Sequence, residues 1–195
     1  MLGMSLMFLT CQECFQVPLI LALLQVGMLR WNTGNVVQMD SMFDSNSAFL
    51  GDISTWDVSK VTSMNAMFQA SSFVGALSSW NVASVVDMTN MFNTHITFGS
   101  DIRSWTVTSV TSFNGMFKDA AAFDIDISTW AVDAASDLSE MFSGATSFSQ
   151  SLCAWDDHLG TTEIVTNMFA GATACSATID PVLTATPAGP FCLSC

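Results

Sequence analysis

Tryptophan recurs at Trp31, Trp56, Trp80, Trp105, Trp130 and Trp155, in steps of 25 residues with a single step of 24. A Met-Phe pair follows each one: Met42-Phe43, Met67-Phe68, Met91-Phe92, Met116-Phe117, Met141-Phe142 and, two residues late, Met168-Phe169. A fixed period of roughly twenty to fifty residues confines a chain to stacked-repeat architectures, because no single unit buries its own apolar face and neighbours must cover it. The six indoles are therefore expected to form a ladder along the stack.

Within the unit the apolar period changes. Ile53, Trp56 and Val58 are spaced I-x-x-W-x-V, the L-x-x-L-x-L spacing of a leucine-rich repeat, and predict a short strand. On that strand Trp56 and Val58 point to one side and Thr55 and Asp57 to the other. Val61, Met64, Met67 and Phe68 then follow at three- and four-residue steps, the stripe of a short helix, with Ser59 as its N-cap. Phe73 and Leu77 lead back to the next tryptophan. The expected fold is an α/β repeat solenoid, a right-handed coil with one short parallel strand and one short helix per ~25-residue repeat.

The repeats run from 31 to 180 without a linker and are read as one domain. Residues 1–30 read as an atypical cap or truncated first repeat; Val17 to Leu29 is apolar but too short, and too broken by Pro18 and Gln25, for a membrane span. Residues 181–195, with Pro181, Pro187 and Pro190, read as a tail over the open end. The single shortening falls between Phe68 and Phe73, in the return loop, and an insertion follows Trp155.

Half of the 195 residues are apolar and the formal charge is −13, from 17 acids against Arg30, Lys60, Arg103 and Lys118. That balance opposes nucleic acid or an anionic membrane surface as partner. Four of the six cysteines, Cys153, Cys175, Cys192 and Cys195, lie in the last coil and tail, where an exposed end gains most from a staple; Cys153 with Cys175 is the leading pair. Two C-x-x-C pairs, Cys11/Cys14 and Cys192/Cys195, would sit ~24 Å or more apart along such a stack, against a shared zinc site.

No phosphate loop, nucleophile elbow or H-E-x-x-H is present, and neither a catalytic residue nor a cofactor is assigned. His95, in a return loop, and His158, in the insertion, read as surface residues. Asp52, Asp101 and Asp126 share a column that could collect calcium, although acids flanking a strand in water are the favoured explanation. The outward face around the tryptophans carries Thr55, Asp57, Ser79, Asn81, Ser104, Thr106 and Thr129. Small polar groups on a flat surface suit an extended partner, a peptide or a glycan, better than a small substrate that needs a pocket.

The segment Asp-Ile-Ser-Thr-Trp-Asp-Val-Ser-Lys-Val-Thr at 52–62, with the Met-Phe pair that follows, resembles the repeat of the BspA-type leucine-rich-repeat surface proteins over residues 31–180. Val61, Val85 and Val110 stand where the usual Asn or Cys would be, so the customary asparagine ladder is missing. The resemblance implies an extracellular or cell-surface module for adhesion or protein binding and carries no catalytic residues. The expected function is a non-enzymatic module whose Ser/Thr/Asp face contacts a protein or glycan. A structural spacer in a longer array is the alternative.

Overall fold

The computed structural model describes residues 31–195 apart from 177–178, 186–188 and 194–195; the expected cap at 1–30 lies outside them, as do Cys11, Cys14 and Cys195. Six coils, each beginning at its tryptophan, stack into one continuous core from Met39 to Cys192. The expected strand and helix per repeat are absent from the described residues. Parallel pairing is reduced to one residue per coil, along Gln38, Ser63, Asp87, Ser112, Asp137 and Ile164. Among the described residues the one helical element is a single 3-10 turn, Cys153–Asp157, in the last coil.

The expected strand is a pair of turns. Trp56 N–H donates to Ile53 O (3.0 Å) and Val61 N–H to Val58 O (2.9 Å), and both bonds recur in later coils at Trp80, Trp105, Trp130, Val85, Val110 and Ala135. Local side chains explain the choice. Asp52 Oδ1 accepts Ser54 N–H and Asp57 Oδ1 accepts Ser59 N–H, so each Asp-x-Ser step closes its own backbone instead of offering it to a sheet. The turns still direct Ile53, Trp56, Val58 and Val61 inward and leave Thr55, Asp57 and Lys60 in solvent. Turn and strand share the apolar spacing here, which is why the spacing alone misleads.

The expected helix fails for a different reason. Ala66 and Ala70 carry φ of 53° and 50°, and the equivalent residues of the other coils are left-handed as well: Ser41, Asn90, Gly115, Glu140 and Asn167 in one column, Ser45, Thr94, Asp119, Gly144 and Gly171 in the other. Two left-handed residues four apart rule out a right-handed helix through them, so Ser59 caps none. Instead the N–H groups divide between two uses. Those of Met64, Ala66, Phe68 and Ala70 reach across to carbonyls of the next coil at Asp87, Thr89, Met91 and Asn93, while those of Met67, Gln69 and Ser71 close three-residue turns onto Met64, Ala66 and Phe68. The register survives changes of coil length: Met64 N–H meets Asp87 O across the short coil and Leu138 N–H meets Ile164 O across the long one.

Along 64–70 and its equivalents the crossing N–H groups point towards the C-terminal end of the stack, while those of Thr62, Val86, Thr111 and Ser136 point back to the preceding coil. Asp180 closes the C-terminal end. Its carboxylate accepts the N–H groups of Asn167 (2.9 Å) and Met168 (2.8 Å), much as an acidic side chain caps a helix start. The tail completes the closure. Phe191 and Cys192 are buried in the core, and Cys192 is bonded to Cys175. That pairing corrects the expected Cys153–Cys175 bridge; Cys153 is disulfide-bonded as well, but not to Cys175. The tail, not the last coil's own start, supplies the sulfur that lies over Cys175.

Candidate binding face

The core ladder that supports the outer surface is chiefly phenylalanine. Rings of Phe43, Phe68, Phe92, Phe117, Phe142 and Phe169 stack one on the next at 5.3–5.9 Å between centroids, with interplanar angles of 4–13°. The return-loop rings lie against them, Phe117 and Phe123 at 3.8 Å and Phe92 and Phe98 at 3.9 Å. The indoles flank this column. Trp56, Trp80, Trp105, Trp130 and Trp155 are buried and Trp31 half-buried, with Trp31 stacked on Trp56 and Trp105 on Trp130, each pair at 6.3 Å. Six indoles in unbroken register are not what holds the centre.

The tryptophans do something the sequence reading missed. Trp80 Nε1 donates to Ile53 O (3.1 Å), Trp105 Nε1 to Leu77 O (3.0 Å) and Trp130 Nε1 to Ile102 O (3.3 Å). These three buried indoles thus tie their coils to the one before, in place of the missing asparagine ladder, whereas the buried Trp155 Nε1 has no hydrogen-bond partner. An indole N–H is a donor only, so a buried one needs such a carbonyl.

Thr55, Asp57, Ser79, Asn81, Ser104, Thr106 and Thr129 all lie exposed beside this column. They sit on turns, not on a strand, and do not share one chemical state. Ser79 donates to Ser54 O (2.6 Å) and Ser104 to Ser78 O (3.2 Å), both in the preceding coil, so these hydroxyls help to hold the stack. Asp57 and Asn81 accept the N–H groups of Ser59 (3.0 Å) and Ala83 (3.2 Å). The threonines at 55, 106 and 129 project from the same face. A regular row of exposed polar tips on a rigid, close-packed base results.

Carboxylates run along the same side. Asp52, Asp101 and Asp126 each accept the N–H two residues on, from Ser54, Arg103 and Ser128, at 2.9–3.1 Å. The expected calcium column is therefore a set of turn closures, and among the described residues no group of three or more His, Cys, Asp or Glu is placed to hold a metal ion. Arg103 grips Asp101 with Nε (3.0 Å) and Nη2 (2.9 Å) and holds its carboxyl down to about 2. The Ser54, Ser59 and Ser128 side chains and backbone N–H groups lower Asp52, Asp57 and Asp126, and His158 lowers Asp133. All of these carboxyls stay ionised well into acid. A shallow recess of about 340 Å³ between coils is lined by Asp101, Arg103, Asp124, Asp126 and Gln150.

The two histidines differ. His158 is half-buried and pairs with Asp133, Nδ1 to oxygen 3.0 Å. His95, expected at the surface, is 0 % exposed and packed edge-on against Phe98 at 5.4 Å. It stands in the column occupied by Ala120, Ala145 and Ala172 in later coils, and that alanine column is the signal that could have placed it inside. Among the described residues no helix is long and apolar enough to cross a membrane.

A family model described as "Mycoplasma protein of unknown function, DUF285" matches the chain twice, over residues 4–95 and 69–181, together nearly its whole length. The overlap of the two matches follows from the repeat. No curated protein and no solved structure matches.

Proposed function

The chain belongs to the DUF285 family, and from that premise and the geometry we propose a non-enzymatic binding or adhesion module of the cell surface or exterior. In this reading the turn-lined face carrying Thr55, Asp57, Ser79, Asn81, Ser104, Thr106 and Thr129 contacts an extended protein or glycan. The observation that carries it is the regular row of exposed polar tips over a base made rigid by stacked rings and crossing hydrogen bonds. An extended ligand gains one contact per coil from such a row, and a fixed base spares it the ordering of the surface on binding. The Cys175–Cys192 disulfide supports an oxidising compartment, in line with an exported protein. The resemblance of the repeat to the BspA-type surface proteins points the same way.

A second reading is a spacer with no ligand of its own. It is favoured by the hydroxyls of Ser79 and Ser104, which are engaged in stacking and thus partly withdrawn from a partner. The test uses Thr106 and Thr129, whose substitution leaves those stacking bonds in place. The intact chain and a Thr106→Glu, Thr129→Glu variant are probed on glycan and protein arrays. Signals lost only in the variant support the face as the contact. Equal signals from both remove the face from the account, and silence from both supports the spacer.

A further inference from the structure

His95 is the one fully buried titratable side chain in the described core outside the disulfides, and both its ring nitrogens lack a hydrogen-bond partner. The carbonyls of Phe73 and of His95 itself face the ring and favour its protonated form, but fall short of hydrogen-bond geometry. Phe92 and Phe98 bracket the imidazole edge-on at 6.3 and 5.4 Å. Coils four to six place alanine at this corner, so the third coil alone among them carries a base in an apolar slot.

Among the described residues no charge faces the ring. In the preceding coil the aligned residues Gln69, Ala70, Ser71 and Ser72 do not titrate, and the Ser71 hydroxyl is turned to Asn46 O (3.1 Å). In its own coil Asn93 and Thr94 flank it. In the following coil Lys118 is paired with Glu140 at 2.5 Å, and the Asp119 carboxylate is directed to Gly144. An imidazolium in this slot would have no counter-ion, and only the Phe73 and His95 carbonyls, outside hydrogen-bond geometry, to face it; burying a charge on those terms is unfavourable. Burial accordingly lowers the affinity of His95 for a proton, the larger influence on it.

We propose that His95 is an acid-sensitive latch: its protonation expels the ring from the core and opens the return corner 93–98 of the third coil. The corner is a compact unit, closed by His95 N–H to Phe92 O and Phe98 N–H to His95 O, each 3.1 Å. Its outer residue Ile96 is already 64 % exposed, so the ring has a short way out. Opening there loosens the joints to the second and fourth coils, because each repeat leans only on its neighbours. The sign is fixed by the burial: closure is fully favoured above the ordinary histidine pKa of 6.5 and weakens as pH falls below it, since the open corner takes up the proton.

Amide exchange of residues 93–98 in the intact chain, expressed as protection factors to remove the intrinsic pH effect, tests this between pH 7.5 and 5. Protection is expected to fall by up to about tenfold per pH unit below 6.5, and His95→Ala, which installs the residue of the later coils, should abolish the fall. His158→Ala should keep it. An NMR titration of the wild-type imidazole reads the same event without a variant. Protection that does not change with pH, a fall that persists in His95→Ala, or a ring that titrates at or above 6.5 in the folded chain would each overturn the latch.

Discussion

Positive φ at two positions in every coil separates side chains that differ only by a methyl group. Gly144 (φ +73°) and Gly171 (φ +77°) occupy the same column in successive coils, one inside the stack and one at its end. A Cβ on Gly171 would meet nothing nearer than Gly144 N at 3.6 Å, whereas a Cβ on Gly144 would strike the Asp119 carboxylate and lie 3.3 Å from Asp119 Cα. Gly171→Ala should therefore lose about 1 kcal/mol, the left-handed strain that Ala70 already bears in the second coil. Gly144→Ala should lose about 2 kcal/mol or more, because steric conflict adds to strain. Urea unfolding of the two variants decides it, and equal losses would assign the whole effect to φ. At this scale the sequence is partly readable: Gly, Asn, Asp and Ser crowd the left-handed columns, yet Ala66, Ala70 and Glu140 sit there too and hide the pattern. His95 was misread because a lone histidine in a return loop carries no local mark of burial; only its alignment with alanine does.

Coils adhere through three parallel devices: crossing backbone bonds, the phenylalanine column, and indole N–H groups bonded to the preceding coil. Phe117 lies where the column is most continuous, stacked on Phe92 at 5.7 Å, Phe123 at 3.8 Å and Phe142 at 5.9 Å. Phe117→Ala is expected to destabilise by about 3–5 kcal/mol, and Trp105→Ala by a similar amount. Trp105→Phe retains most of the bulk but leaves Leu77 O without its indole donor, so a loss of about 1–3 kcal/mol is expected from it. Chemical denaturation reads all three. A loss below about 1 kcal/mol for either alanine variant would mean that stacked rings fill space in the coil without holding it. The inward-facing set at this scale was legible from spacing, since the tryptophans from Trp56 on, the Met-Phe pairs, the return-loop Phe and Ile53, Val58 and Val61 with their equivalents in the next coils are buried. The conformation that carries them was not. A stripe at three- and four-residue steps arises equally from a helix and from right- and left-handed residues in alternation, and I-x-x-W-x-V arises equally from a strand and from two turns.

The stack as a whole has directional ends, and the C-terminal one is closed by Asp180, Phe191 and the Cys175–Cys192 bridge. That bridge spans 17 residues, so Cys175→Ser with Cys192→Ser should remove about 3 kcal/mol and lower the melting temperature by roughly 6–12 °C. Differential scanning calorimetry measures this, and an unchanged melting temperature would show that the tail is held by packing alone. The amino-acid sequence by itself determined the repeat, its six coils and which side chains face inward, because burial follows from the spacing of apolar residues along the chain. The tertiary structure alone decided the turns, the left-handed columns, the disulfide partner and the fate of His95. The reason is physical: the acceptor for a crossing N–H lies about one repeat away in another coil, so the backbone's conformation is settled by a partner that no local stretch of sequence contains.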